Sequence, residues 1–579
     1  MRVVPRSLIW MALLVLEGCA TTTPAGPGAP SDAASRATLD DGASKTIVLA
    51  QNNPVKMFGQ WEFSNTSGGG ASLAEIHTMG IITQDDRGRV VPRLATAMPS
   101  IDDASLAVLP DGRMNVTWRL RPDVTWQDGN PFTADDVVFS YAVTTTPELR
   151  PSITALAPFI ERVEALDRFT FMATFKYTYF NALNFDHRNY WLFPRHLLAD
   201  SLQNDVEGFL DLPYFRDQYV HLGPFRVVDW GLGENMVFER YDGYFLGRPK
   251  VGKIIIRAIG DPTVILTNLK AGSVDMAAEK TLLTDAYMDL REEWSRSGEG
   301  ALVARQENWR YLWFQFHPEY ARPLELSQDV RLRRGLAYGF DRDALRELIL
   351  PGVEGTRGDS FLIASDPRND IVGRPFAQYV YDPVQAEREL ASAGWQRSAD
   401  GRLLNSSGAH VQVELRGNPV DVKELAVIAA GWRGLGLDVN EYIPPQALGR
   451  DNEFKSKFPT VETRARDQNE GVFSSFDGRA GAGPQNRWQG INTGHYANPA
   501  LDQLMDKLYA TLDSRERGLI MKDMGQIMAD DLPAMHIYYR ISFMSIRNVV
   551  RGPISQDFAT TTGGSGGSVA RNAHLWERV

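Results

Sequence analysis

The sequence predicts an α/β protein with more than one lobe. Segments of strand character alternate with capped helices across residues 46–277, and a long helical region follows in the second half. The chain has 579 residues, which is too many for one ordinary hydrophobic core. Hydrophobic residues make up 43% of the chain and charged residues 23%, as in globular proteins. Two or more lobes are therefore expected.

The N-terminus has the features of an export signal. Two arginines precede the apolar residues 8–16, a run that is too short to span a membrane and is typical of a secretory signal peptide. The segment Leu16-Glu17-Gly18-Cys19 then resembles a bacterial lipobox, whose cysteine is acylated after cleavage. Glu17 departs from the small or apolar residue that is usual there, so ordinary cleavage after Ala20 is the alternative. Residues 1–20 are predicted to be a signal peptide of one of these two types.

The next segment is predicted to be a tether. Residues 21–45 are rich in Thr, Pro, Ala, Gly, Ser and Asp and have little to bury. The first strand is predicted at residues 46–50. Because Cys19 is the only cysteine, the mature protein has no internal disulfide, and its stability must come from its core.

Residues 118–141 predict a strand, a turn and a capped helix in succession. The strand residues lead into Asp128-Gly129, which is typical of a turn. Thr133 stands three residues before Asp136, and this spacing predicts a capping box ahead of the apolar helical residues 137–139. The three elements form a compact α/β module.

Later segments also have clear local character. Residues 309–316 and 535–540 are rich in aromatic residues and are predicted to be strands. Helices are predicted from Asp382, over residues 422–435, and over residues 498–531 as one or two helices. Residues 563–568 are predicted to be a flexible loop, and His574-Leu575-Trp576 a last strand.

Residues 118–141 also closely resemble the signature of the family 5 extracellular solute-binding proteins, which are the peptide, dipeptide and nickel binders of bacterial ABC importers. Further blocks similar to those of the family occur in the family's order and cover nearly all of the mature chain. These blocks are residues 223–227, 241–245, 269–275, 330–342, 381–395 and 496–502. The chain is identified as a member of this family on that resemblance.

The resemblance implies a two-lobed periplasmic-binding-protein fold of the large, cluster C type, with a discontinuous first lobe and an inserted second lobe. Lobe I is expected to comprise residues 46–305 plus 536–579, and lobe II residues 306–535. The aromatic segments 309–316 and 535–540 are well placed to connect the lobes. Connecting strands form the floor of the cleft in binding proteins that close about a hinge.

The resemblance further implies a monomeric extracytoplasmic receptor. Such a receptor captures a small solute, in the first place a peptide, by hinge closure and delivers it to an ABC transporter permease. No cofactor is implied, and the location is the periplasm or the cell surface, with membrane attachment only through an N-terminal lipid. The net charge of −11, without a cluster of Lys and Arg, argues against nucleic acid as a partner. The alternatives are a secreted enzyme or a ligand sensor on the same scaffold, or a receptor for an opine, a sugar or a metal chelate.

Aromatic residues of the two connecting segments are the first candidates for solute contact. A ligand enclosed between lobes needs aromatic faces for its apolar parts and a few polar groups for its ends. Tyr311, Trp313 and Tyr538 are suitable in type and position. The alternative is that these rings fill the core beside the sheet.

Further candidates lie in loops. Gly68 and Gly69 belong to a glycine-rich loop whose amides can approach a ligand closely, although a plain mobile loop has the same composition. In family members that bind peptides, an acidic residue pairs with the ligand's ammonium, within a block in which Gly-Trp is followed shortly by Asp-Tyr. Residues 471–478 of this chain lack that motif. Asp477 is the nearest candidate there, and a solvated turn acid is the alternative. Arg487 and Trp488 are candidates for a carboxylate contact and for stacking, unless they belong to the lobe surface.

Catalytic and metal-binding patterns are missing from the sequence. It contains no HExxH, no CxxC and no close pair of histidines, and we name no catalytic residue and no metal ligand. His196 falls in a structural block of the family, where a capping or packing role is expected.

Overall fold

The structure, a computed structural model, describes residues 45–59, 70–85, 89–149, 156–353, 356–362, 366–445, 448–467, 470–553 and 569–579. The predicted signal peptide with Cys19, the tether before residue 45, the loop glycines 68 and 69 and the predicted loop 563–568 lie outside these ranges. Strands and helices alternate along the described chain, so the predicted α/β class is confirmed.

The strands occur in all parts of the described chain. They are β1 (Thr46–Gln51), β2 (Ile82–Gln84), β3 (Val90–Pro92), β4 (Leu106–Val108), β5 (Met114–Arg119), β6 (Ile160–Asp167), β7 (Thr170–Phe175), β8 (Phe225–Asp229), β9 (Asn235–Arg240), β10 (Lys253–Ala258), β11 (Met276–Ala277), β12 (Gly300–Phe314), β13 (Gln396–Arg397), β14 (Leu403–Leu404), β15 (Gln412–Arg416), β16 (Asp438–Tyr442), β17 (Val461–Asp467), β18 (Ala534–Arg547), β19 (Val550–Arg551) and β20 (Glu577–Arg578).

The helices are concentrated in the second half. They are α1 (Gly70–Leu73), α2 (Ala134–Thr145), α3 (Arg195–Asn204), α4 (Pro262–Ala271), α5 (Thr284–Ser297), α6 (Glu325–Gln328), α7 (Val330–Tyr338), α8 (Arg342–Ile349), α9 (Asn369–Val372), α10 (Pro383–Ser392), α11 (Val422–Gly434), α12 (Asn452–Ser456), α13 (Pro499–Ala510) and α14 (Ser514–Asp531). None of the helices in the described ranges has the length and apolar character that crossing a membrane requires.

Short polar side chains begin several helices where the sequence predicted. The Thr133 backbone N–H donates to the Asp136 carboxylate over 2.9 Å, which confirms the capping box before α2. Asp382 accepts from the Gln385 N–H at the start of α10, and Asn498 accepts from two amides at the start of α13. Each cap satisfies backbone donors that have no partner inside the helix, and so fixes where the helix begins.

One mixed sheet runs through the molecule. Its ten strands lie in the order β16-β15-β17-β12-β18-β11-β1-β10-β9-β8. On one side of the central pair β12 and β18 lie strands from residues 412–467, and on the other side lie strands from residues 46–277. The sheet therefore joins two parts of the chain that are far apart in sequence.

A second sheet of four strands, in the order β4-β5-β7-β6, holds the module recognised at residues 118–141. The core beneath it is formed largely by buried aromatic and aliphatic side chains such as Trp118, Trp126, Phe132 and Phe171. Alternation along β5 places Met114, Val116 and Trp118 on its buried face, which explains the strand signal in the sequence.

The C-terminus differs from the prediction of a strand at residues 574–576. Val569–Leu575 forms a 3₁₀ helix, and the last strand, β20, begins only at Glu577. The Trp576 side chain is fully buried in the core beneath β1 and β10, so packing of this ring decides the local conformation. Strand pairing begins after Trp576, where Glu577 and Arg578 of β20 pair with β19.

Candidate functional site

The long antiparallel pair β12 and β18 crosses from one part of the main sheet to the other. Among the described strands, its first half, from Gly300 to Gln306, pairs with β18 alone, and β18 also pairs with β11. From Asn308 onward β12 pairs with β17 as well. The register between β12 and β18 shifts between Gln306 and Asn308 and again between Arg310 and Tyr311. Two bulges, which interrupt the ladder and bend strands, therefore fall at the crossover.

A buried charge cluster lies on one face of this crossover. The Arg310 guanidinium is 2.6 Å from the Asp421 carboxylate and 2.8 Å from that of Glu424, and the Tyr538 hydroxyl donates to Glu424. All four side chains are almost completely buried. Burial alone would lower the pKa of Arg310, but its two carboxylate partners outweigh it and raise the pKa. The guanidinium therefore stays charged and holds α11 against β12.

A second buried ion pair lies on the other side of the first bulge. Arg305 pairs with Glu279, and both side chains are buried. Charged groups are rarely buried unless they are paired. The crossover therefore has two sets of buried ion pairs, one around Arg305 and one around Arg310.

The opposite face of β12 carries a row of aromatic rings. The Trp309 and Tyr311 rings stack with centroids 4.4 Å apart, and Trp313 and Tyr311 both contact Phe476. Tyr311 is 0% and Trp313 1% exposed. Two of the predicted contact residues are thus core side chains in this arrangement, and the third, Tyr538, lies on the other face against Glu424.

A pocket of about 340 Å³ opens beside this aromatic row, where β17 ends and a short 3₁₀ segment, Glu470–Phe476, begins. The Arg466 side chain reaches it from β17, and its Nε–H donates to the Ser475 hydroxyl over 2.8 Å. The described residues that line it are Ala465, Arg466, Gly471, Val472, Ser474, Ser475 and Ile491. One cationic group and two hydroxyls on a small apolar wall are suited to orienting a polar ligand.

Three of the remaining predicted contacts, Asp477, Arg487 and Trp488, lie in or beside short turns. Asp477 accepts the Arg479 N–H at the start of a 3₁₀ turn and forms an ion pair of 2.9 Å with that side chain. Arg487 is exposed, and the Lys457 ammonium lies 4.8 Å from the Trp488 ring centroid. Arg487 and Trp488 both have positive φ, at 53° and 61°. Gly68 and Gly69 lie outside the described residues.

The structure brings forward residues that sequence reasoning did not single out, among them Arg466, Ser475, Arg310 and Glu424. A signal for Arg310 was present, because an arginine within an aromatic strand must be paired if that strand is buried. No comparable signal existed for Arg466, since the alternating charges of β17 look like those of a solvated strand.

The described residues hold no group of three or more His, Cys, Asp and Glu side chains placed to bind a metal ion. His196 is 2.6 Å from the Asp128 carboxylate, and so connects α3 with the turn before α2. Its structural role agrees with the expectation for that block.

A family model described as "Bacterial extracellular solute-binding proteins, family 5 Middle" matches residues 89–488, more than half of the chain. Among curated proteins, the oligopeptide-binding protein AppA of Bacillus subtilis is 21% identical over 456 residues, which are 76% of this chain and 78% of AppA.

Solved structures agree on the fold. NikZ of Campylobacter jejuni, in complex with Ni(L-His), is 21% identical, has a TM-score of 0.70 and covers 92% of this chain and 99% of its own. A periplasmic oligopeptide-binding protein of Thermotoga maritima is 17% identical, with a TM-score of 0.74 over 92% of this chain and 99% of its own. The large two-lobed fold expected from the sequence is thereby confirmed.

Proposed function

Because the chain belongs to family 5 of the bacterial extracellular solute-binding proteins, we propose that it is an extracytoplasmic receptor that captures a small solute and delivers it to the permease of an ABC transporter. Its lobes close on the solute, and closure is driven by the higher affinity of the solute for the closed state. The protein acts as a monomer and needs no cofactor.

The strand crossover is the observation that carries this proposal. The pair β12 and β18 connects the two parts of the main sheet, and its two register shifts weaken the ladder where a hinge is required. The pairing also supports the proposed division into lobe I, residues 46–305 plus 536–579, and lobe II, residues 306–535. Strand β17 joins β12 only from Asn308 onward, just after that boundary.

A peptide is the first candidate for the solute. The relatives include an oligopeptide-binding protein and a protein solved with nickel and histidine, so peptides and metal chelates are the classes to compare. An opine or a sugar is a further candidate. The proposed contacts in loops and turns are Gly68, Gly69, Asp477, Arg487 and Trp488. The proposed aromatic contacts are Tyr311, Trp313 and Tyr538, which would reach the solute when movement of the lobes displaces the side chains that cover them.

Export precedes this activity in our proposal. The signal peptide is removed, and acylation of Cys19 anchors the receptor to the membrane; cleavage after Ala20 would release it instead. Mass spectrometry of the mature N-terminus distinguishes the two, because acylation adds the mass of the lipid to a chain that begins at Cys19.

Thermal-shift and calorimetric screening of the mature protein tests the receptor role. The probes are di- to pentapeptides, Ni²⁺ with and without L-histidine, opine-type amino-acid conjugates and sugars. A solute that binds only the folded protein raises its melting temperature. At a free concentration of 100 times its Kd, it adds about 2.7 kcal/mol to the free energy of unfolding. We expect a shift confined to one class, together with a smaller radius of gyration by X-ray scattering. Turnover of a bound probe would instead favour the secreted enzyme, and binding without closure would contradict the transport receptor.

A further inference from the structure

One side chain of the proposed lobe I lies against two side chains of the proposed lobe II. The Phe180 ring stacks on the Tyr509 ring, with centroids 5.6 Å and planes 11° apart, and the Phe180 N–H donates to the Tyr509 carbonyl over 2.9 Å. The Arg517 guanidinium lies 5.6 Å from the Phe180 ring centroid. Leu512, between α13 and α14, packs against the core beneath the four-stranded sheet. The end of α13 and the turn after it therefore contact lobe I.

Arg517 also holds the segment that lines the pocket, Glu470–Phe476, which we call the pocket segment. Its Nε–H donates to the buried Glu470 carboxylate over 3.2 Å. Its Nη1 donates to the carbonyls of Thr511 and Leu512 over 3.2 and 2.6 Å. Solvent ions screen such a buried ion pair only weakly. One guanidinium thus fixes both the start of the pocket segment and the turn that contacts lobe I.

Tyr509 makes a second link to the pocket segment. Burial and the Asp477 charge raise the pKa of its hydroxyl, and a hydrogen bond with the Ser474 side chain opposes that rise. Ser474 lines the pocket, and its own hydroxyl donates to the Gly471 carbonyl over 2.6 Å. The hydroxyl end of Tyr509 therefore contacts the pocket wall, while the face of its ring contacts Phe180.

Two separate side chains thus connect the pocket wall with one ring of the other lobe. Packed side chains shift between discrete arrangements instead of deforming continuously. A displacement of the pocket segment therefore displaces Tyr509 and Arg517 and disturbs their contact with Phe180. A solute that fixes the pocket segment stabilises this contact, and by linkage the contact stabilises the bound solute by the same factor.

We propose that Tyr509 and Arg517 are positioning residues that couple occupation of this pocket to closure of the lobes, with Phe180 as the group of lobe I that they hold. The inference rests on the proposed receptor function. It adds to that function a route by which a solute in the pocket stabilises the closed state. Neither Tyr509 nor Arg517 needs to contact the solute.

Hydrogen exchange measured by mass spectrometry tests the coupling without a ligand. Phe180→Ala changes lobe I, yet it should speed the exchange of amides 471–476 in lobe II by roughly 2- to 12-fold, the factor that corresponds to loss of one aromatic pair. Exchange of β16, at the far edge of the main sheet, should stay as in the wild type. Leu166→Ala, at an exposed position of β6, is the control and should change neither region.

Isothermal titration calorimetry tests whether the coupling acts on binding, with trialanine and with Ni²⁺ plus L-histidine as probes. Tyr509→Phe removes the hydroxyl that reaches Ser474 but keeps the ring that stacks on Phe180. For a probe that binds, Tyr509→Phe and Phe180→Ala should each weaken binding by about 2-fold or more. The double variant should weaken it no more than the stronger single variant, because both changes act through one contact.

Tyr381→Phe is the matched control for the calorimetry, because it removes a hydroxyl from an exposed tyrosine of lobe II. It should leave the affinity unchanged. Unchanged exchange of amides 471–476 in Phe180→Ala, or faster exchange throughout the chain, would overturn the inference. Losses of affinity that add in the double variant would overturn it while leaving the receptor function intact. If no solute class binds the wild type, the receptor proposal fails, and the exchange measurement still decides whether Phe180 and the pocket wall are coupled.

Discussion

Arg310 shows what one buried charge does at the crossover. It links β12 to Asp421 and Glu424, and all three groups are shielded from water. The free energy lost when these charges are removed from water is offset by their mutual attraction and by hydrogen bonds from groups such as the Tyr538 hydroxyl. Removal of one partner leaves the others without compensation.

We therefore expect Arg310→Leu to lower the free energy of unfolding by about 3–5 kcal/mol, since two buried carboxylates lose their counter-ion. Chemical denaturation monitored by circular dichroism measures this. Lys423→Ala is the control, because Lys423 lies next to Glu424 on α11 but forms an exposed pair with Asp285. That variant should change stability by less than about 1 kcal/mol. Similar losses in both variants would contradict the buried-charge argument.

At the scale of elements, a second contact joins the parts that the crossover connects. The Phe180 N–H, in the segment after β7, donates to the Tyr509 carbonyl near the end of α13 over 2.9 Å, and the two rings stack with centroids 5.6 Å apart. The Arg517 guanidinium lies 5.6 Å from the Phe180 ring centroid. The contact joins residues of the two proposed lobes, and in our proposal it stabilises the closed arrangement.

Phe180→Ala should loosen that arrangement with little effect on folding. An aromatic pair contributes about 0.5–1.5 kcal/mol beyond its buried area, so the ratio of closed to open molecules in the ligand-free protein should fall by roughly 2- to 12-fold. X-ray scattering would then show a larger radius of gyration. Leu166→Ala, at an exposed position of β6, is the control. An unchanged radius in Phe180→Ala would exclude a closing role for the pair.

At the scale of the whole molecule, several buried histidines link stability to pH. Burial lowers the pKa of His77 to about 3, and it lowers the pKa values of His187, His221 and His536 well below 6.5. These side chains are neutral in the folded protein, whereas in the unfolded chain they take up protons near pH 6.5. Their contribution is therefore complete above pH 6.5 and is lost as the pH falls below it.

We expect the free energy of unfolding to fall below pH 6.5 by up to about 1.4 kcal/mol per pH unit for His77, whose pKa in the folded protein is about 3, and the other three histidines should add to the fall. Denaturation series at several pH values between 6.5 and 5 measure the slope. His77→Phe should reduce the slope of the free energy of unfolding against pH by about 1.4 kcal/mol per pH unit. The substitution should be tolerated, because His77 lies among aromatic rings. His410→Gln, at an exposed position, should leave it unchanged. A slope that is the same in His77→Phe and in the wild type would refute the assignment.

Local chemistry explains which elements the sequence could predict. The helices that begin at Asp382 and Asn498 and the capping box of Thr133 depend on neighbours within three residues, and they were predicted correctly. The aromatic segments were also identified as strands. The strand predicted at residues 574–576 was wrong because burial of Trp576, a tertiary effect, overrides local preference there.

Long-range pairing accounts for what the sequence could not predict. The partners of Arg310 are more than 100 residues away in sequence, and the pocket beside Arg466 is lined by residues 471–475 and Ile491. No periodic pattern in the sequence indicates which distant residues come into contact. The predicted solute contacts were chosen by residue type, and that criterion does not distinguish an aromatic ring in the core from one in a cleft.

The position of β18 in the main sheet has a consequence for how the chain is made. Strand β18 separates β12 from β11, yet it comes from residues 534–547, near the end of the chain. A ribosome delivers every other strand of that sheet first, so its two parts cannot be joined until synthesis is almost complete. Pairing over such sequence separations is slow. The main sheet is therefore completed only when residues 534–547 have been made, an order of events that suits a chain which, in our proposal, is exported before it folds.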